Sequence, residues 1–122
     1  MNEITMLRAA VGLLAIGALG GVIMAIIRLF QGKNPPSWLA ILHGFLAAAG
    51  ITLLLYAAIT VGIPQLAELG VAMLLIAALA GVVLNLRYQW KAVLLPRGLL
   101  VGHAVLAVVG VTLVLVTTCR PS

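Results

Sequence analysis

The chain has two histidines, His43 and His103, sixty residues apart. Each opens the same pattern. His43-x-x-Leu46-Ala47-x-x-Gly50-x-Thr52-Leu53-x-Leu55 recurs as His103-x-x-Leu106-Ala107-x-x-Gly110-x-Thr112-Leu113-x-Leu115. An imidazole can ligate a metal through a neutral nitrogen, exchange a proton near neutral pH, or hydrogen-bond a neighbour. Two imidazoles in matching surroundings point first to a shared role, as ligands set on either side of one central object. Whether they can do this depends on the elements that carry them.

Those elements are apolar. Of 122 residues, 65% are hydrophobic and 7% charged, with two acids in all. Soluble domains carry about 25% charged residues, so a water-soluble globule of this size could not cover its surface with this composition. That argues against a soluble enzyme, a disordered chain and a nucleic-acid-binding domain. Four apolar stretches, roughly 4–30, 37–63, 65–86 and 97–118, each reach the ~20 residues a helix needs to cross a bilayer. They lack the short strict alternation of spanning strands. Pro35-Pro36, Gly62-Ile63-Pro64 and the segment from Tyr88 to Pro96 separate them. The first stretch is long and carries Glu3 as well as Arg8, unlike a cleavable signal peptide. The expected fold class is all-α: an integral membrane four-helix bundle forming one domain over 1–122.

The repeat extends beyond the histidine segments. Residues 14–55 align without gaps onto 74–115, with fifteen of forty-two identical. Apolar composition alone would not align Gly21 with Gly81, Pro36 with Pro96 and Thr52 with Thr112 as well as the two histidines. The unit is a helical hairpin used twice, about 4–63 and about 65–118. Two spans per unit is an even number, so the hairpins enter from the same side, related by a pseudo-two-fold axis along the membrane normal. The second and fourth spans then run parallel. Each histidine lies six residues inside its span, ~9 Å from that end.

Charge sets the orientation. Arg28, Lys33, Arg87, Lys91 and Arg97 flank the histidine end, against Arg8 and Arg120 at the other. The positive-inside rule then puts the basic loops in the cytoplasm and both termini outside. Trp38 and Trp90 mark the same basic ends as interfacial aromatics. The localisation expected is a bacterial inner membrane, with four spans and the lipid bilayer as the first partner.

An ionisable residue inside a membrane span is a functional-site hypothesis by default. Imidazole is a leading axial ligand of haem iron, and two across an axis would make a six-coordinate bis-imidazole haem. His43 shares a helix face with Ala47 and Gly50, and His103 with Ala107 and Gly110. Such small faces leave room for a flat macrocycle, although they also serve close helix packing. Gly17 and Gly21, and Ala77 and Gly81, read as packing contacts. The propionates of a haem b need cations or solvent, and Arg97, at the start of the fourth span, is the first candidate. Glu3 and Glu68 form no carboxylate pair, no phosphate-binding glycine pattern occurs, and Cys119 is the lone cysteine.

On these segments and four spans, the chain resembles the bis-histidine membrane b-type cytochromes, in the manner of the cytochrome b561 and bacterial b-type families. The resemblance implies one haem b with His43 and His103 as iron ligands, on parallel helices. It also implies single-electron transfer to a redox partner protein or quinone, as an electron carrier or electron-transfer subunit rather than a stand-alone enzyme, with a homo-oligomer or a larger membrane complex both open. Family members commonly hold two haems on four histidines; this chain supplies one pair. Two other classes stay open: a small transporter or proton-conducting protein using the histidines as a titratable pair, and a non-catalytic accessory subunit.

Overall fold

A computed structural model describes residues 2–119, so Arg120 and its part in the charge count lie outside the described residues. Four helices run in sequence: α1 (Glu3–Phe30), α2 (Ser37–Thr60), α3 (Gln65–Val83) and α4 (Arg97–Thr118). A π-helical turn, Leu84–Gln89, prolongs α3. No strand occurs among the described residues, and all four helices are long and apolar enough to cross a membrane.

The helix starts follow from local chemistry. Asn2 caps α1, its side-chain oxygen accepting from the Thr5 N–H at 2.9 Å. The other three helices each begin directly after a proline: Pro36, Pro64 and Pro96. Proline fixes φ and pushes the preceding residue towards extended backbone. Each proline carbonyl still accepts the first helical bond, from Ala40, Glu68 and Leu100 respectively. Two loop residues adopt left-handed backbone at equivalent places in the repeat, Gly32 (φ 68°) and Ala92 (φ 56°).

Packing is closest within each hairpin, α1 on α2 and α3 on α4, and looser between hairpins. The main core gathers at the end away from the histidines: Leu7, Ala10 and Leu14 of α1, Ile51 and Leu54 of α2, Val71 and Leu74 of α3, and Val114 of α4. A smaller cluster of Leu84, Leu95 and Leu100 closes the basic end, backed by Ala25, Leu29, Tyr88 and Leu99. The two clusters bracket a level where few residues are buried, Gly17 and Ala77 at its edge. No residue of 18–27, 40–49, 78–83 or 101–109 is buried, and the half-buried ones include Gly21, Ala47, Ala78, Gly81 and Ala107. Both histidines stand at that level. The outer surface is apolar, with Phe45 72% and Ile59 83% exposed. That is the inverse of a soluble protein and what a hydrocarbon solvent requires.

Candidate functional site

His43 is carried on α2, but α1 orients its ring. The Nδ1–H donates to the Gly17 carbonyl oxygen at 2.6 Å. Sixty residues on, the His103 Nδ1–H donates to the Ala77 carbonyl oxygen, also at 2.6 Å. The i→i+4 N–H of each helix normally uses that carbonyl, so the ring takes its second lone pair. A β-carbon added at Gly21 would stand 3.0 Å from the His43 Cε1, and one at Gly81 would stand 3.1 Å from the His103 Cε1. Each ring therefore lies on a bare patch of the neighbouring helix. Gly17 and Gly21 are packing positions, as their spacing implies, and what they pack against is the imidazole.

These bonds settle the tautomer. A carbonyl oxygen can only accept, so each Nδ1 carries a proton, and in the neutral ring Nε2 then keeps its lone pair. Neither Nε2 is hydrogen-bonded among the described residues. The two ring centres lie 6.2 Å apart, with the planes at 79° to one another. A backbone carbonyl holding one ring nitrogen while the other stays free is the usual support of a metal-ligating histidine.

Metal–imidazole bonds run about 2.0 Å, which puts two rings ligating from opposite sides about 6 Å apart, centre to centre. The observed spacing fits that. Among the described residues no group of three or more His, Cys, Asp or Glu side chains comes together. Two imidazoles could fill two coordination positions, so an iron held here would need its remaining ligands from a macrocycle. The donor set fits a haem b, with His43 and His103 as its protein ligands.

The remaining expected site residues divide. Ala47 and Ala107 are half-buried at the histidine level, and the Ala47 backbone nitrogen lies against Gly17. Gly50 and Gly110 are one level further in and are used by the hairpins. A β-carbon on Gly50 would meet the Leu14 Cγ at 2.7 Å and the Ala10 carbonyl oxygen at 3.2 Å. One on Gly110 would meet the Leu74 Cγ at 2.8 Å and the Gly70 carbonyl oxygen at 3.0 Å. Their missing side chains admit a leucine from the neighbouring helix. Arg97 is exposed.

Sequence reasoning missed Arg28. It reads as one of five topology-setting cations, yet it is 7% exposed, while Arg8, Lys33, Arg87, Lys91 and Arg97 are all exposed. Its Nε–H donates to the Leu95 carbonyl oxygen at 2.8 Å. Around it the loops interlock. Asn34 donates to the Val93 carbonyl oxygen at 2.7 Å and accepts from the Leu95 N–H at 3.0 Å. Gln89 donates to the Pro35 carbonyl oxygen at 2.7 Å. Two buried oxygens here, Asn85 Oδ1 and Gln89 Oε1, accept no hydrogen bond. A signal existed for Arg28: it lies seven residues after Gly21 and eleven after Gly17, on the helix face that receives the ring.

No family model, curated protein or solved structure matches the chain. The functional reading therefore rests on the residues and their geometry.

Proposed function

We propose that the chain is a membrane b-type cytochrome that holds one haem b between His43 and His103 and passes single electrons. When bound, the group supplies a one-electron iron couple. The chain's own residues do the positioning. The Gly17 and Ala77 carbonyls fix both tautomers and turn Nε2 into the ligating nitrogen. Gly21 and Gly81 let the ring edges approach α1 and α3 closely. The single observation that carries this reading is the pair of matched Nδ1–carbonyl bonds with ring centres 6.2 Å apart. With both histidines committed to holding the group, the role would be electron carrier or electron-transfer subunit.

The contacts that recur at an interval of sixty support two hairpins related by a pseudo-two-fold axis, with the haem on that axis. The basic loops belong in the cytoplasm by the positive-inside rule, with both termini outside. The haem then lies towards the cytoplasmic face of a bacterial inner membrane. About 9 Å of the ~30 Å hydrocarbon separates each histidine from the basic end, leaving roughly 20 Å to the outer face. One haem so placed exchanges electrons with a cytoplasmic or membrane-embedded partner, a redox protein or a quinone, rather than bridging the bilayer alone.

The test is direct. The purified protein in detergent should be red, with a redox-sensitive Soret band and a low-spin spectrum. A colourless protein that takes up no added haem overturns the proposal. It would favour the reading in which both histidines simply bond their neighbouring helices, as an accessory subunit would have them.

A further inference from the structure

Arg28 is a buried cation with no acid near it. The chain's two acids, Glu3 and Glu68, lie in the first turns of α1 and α3. Glu3 is separated from Arg28 by twenty-five residues of one helix, roughly 37 Å of rise. Within the described residues the guanidinium has one hydrogen bond, Nε to the Leu95 carbonyl oxygen. A guanidinium carries five N–H donors, so the Nη groups have no protein partner, and they are not sealed inside the bundle as the Asn85 and Gln89 oxygens are. The stem is covered while the Nη donors stay open to a ligand from outside the chain. Every other described Lys or Arg is exposed.

The position is specific. Arg28 follows Gly21 by two turns on the same face of α1, about 10 Å further towards the basic end. The residue sixty positions on is Tyr88, which carries no charge, so the cation occurs once and not twice. The histidine contacts are duplicated; the cation is not.

We propose that Arg28 binds an oxyanion through its Nη donors, and that this oxyanion is one carboxylate of the haem b whose binding is proposed above. The inference rests on that reading and replaces the exposed Arg97 as the carboxylate partner. Guanidinium and carboxylate match in geometry, and such charge-assisted bonds are the strong ones. Haem b has two propionates; Arg28 would hold one, and no second covered cation is present among the described residues to hold the other. A lipid phosphate offers the same oxyanion chemistry, and the experiment separates the two sources.

The test uses the full chain, freed of haem, in nanodiscs of neutral phosphatidylcholine, titrated with haem b and with its dimethyl ester. The wild type should bind haem b about tenfold more tightly than the ester. Arg28→Gln keeps a donor for Leu95 and should lose that preference while its spectrum stays low-spin. Arg28→Lys should keep part of the preference, and Arg97→Gln all of it. Arg28→Gln with the full preference intact overturns the inference and leaves the cytochrome reading standing. Uptake of neither porphyrin by the wild type overturns the cytochrome reading itself. The third arm measures melting without porphyrin in anionic phosphatidylglycerol. Stabilisation of the wild type but not of Arg28→Gln, with no preference between the porphyrins, would assign the anion to a lipid headgroup and overturn the haem assignment.

Discussion

The histidine level and the basic loops of this molecule differ in how they use the repeat. At the histidine level contacts recur at an interval of sixty. His43 to Gly17 becomes His103 to Ala77, and the His43 ring on Gly21 becomes the His103 ring on Gly81. At the loops nothing is shared except the proline before each helix and the left-handed residue ahead of it. Arg28 corresponds to Tyr88, and the regular end of α1 corresponds to a π-helical turn after α3. Asn34 reaches across to the other loop, and Leu94 stands at its equivalent position. Matched surroundings suit two ligands that must act alike on one central group. Unmatched loops suit what occurs once: fixing the hairpins together and holding a single anion.

The largest effect should come from removing a ligand. His43→Ala and His103→Ala should each abolish the low-spin spectrum or leave weakly bound five-coordinate haem, since the chain has no spare histidine. Matching surroundings further require the two losses to be equal in kind, read by absorption and electron paramagnetic resonance. A variant that keeps an unchanged low-spin spectrum breaks the assignment of that histidine.

Next in size are the glycines that look alike in sequence and serve different contacts. Gly50→Leu and Gly110→Leu should each destabilise their hairpin by about 3 kcal/mol or more, above the usual range for overpacking, because Leu14 or Leu74 and a backbone carbonyl stand in the way. Unfolding in mixed detergent measures it. Gly21→Ala and Gly81→Ala should cost far less in stability and instead shift the haem spectrum, because the added carbon meets only the imidazole edge. Equal spectral shifts on Gly50→Leu and Gly21→Ala would erase the distinction.

This split shows what the sequence could and could not disclose. The four spans, their proline starts and the sixty-residue repeat are legible because hydrocarbon length and proline sterics are local constraints. The small faces are legible too, but not their partners. Gly50 lies on the face of its helix that carries His43, yet a 3.6-residue period does not say whether a leucine or a macrocycle fills the space beside it. The burial of Arg28 is hidden for a related reason. An arginine in the last turn of a span reads as an interfacial charge, and only the tertiary position of Leu95 turns it inward. The π turn depends on bonds made outside the helix pattern, Trp90 N–H to the Asn85 carbonyl and Val93 N–H to the Tyr88 carbonyl, both 2.9 Å.

The loop contacts should respond on a smaller scale. Asn34→Ala removes two hydrogen bonds between the hairpins. A net hydrogen bond contributes about 0.5–1.5 kcal/mol, so the loss should be about 1–3 kcal/mol, measured by the same unfolding assay. The low-spin spectrum should persist, since no ring contact is touched. Loss of the spectrum with Asn34→Ala would mean that the histidine level depends on the loops.

The smallest effect concerns the left-handed residue that the two loops share. Gly32 (φ 68°) and Ala92 (φ 56°) occupy equivalent places, but only glycine takes this backbone without steric cost. For an L-residue the left-handed region costs roughly 1–2 kcal/mol because Cβ crowds the neighbouring carbonyl oxygen. Ala92→Gly removes that cost but makes the unfolded chain more flexible, which offsets about 0.4–1 kcal/mol. Ala92 is exposed, so little packing is lost with its methyl group. The net expectation is a gain of about 0.5–1 kcal/mol. The reverse change, Gly32→Ala, should destabilise by a similar amount, with no effect on the spectrum in either case. If Ala92→Gly instead destabilises, the methyl group at 92 makes a contact that the loop needs, and the likeness of the two loops ends at their backbone angles.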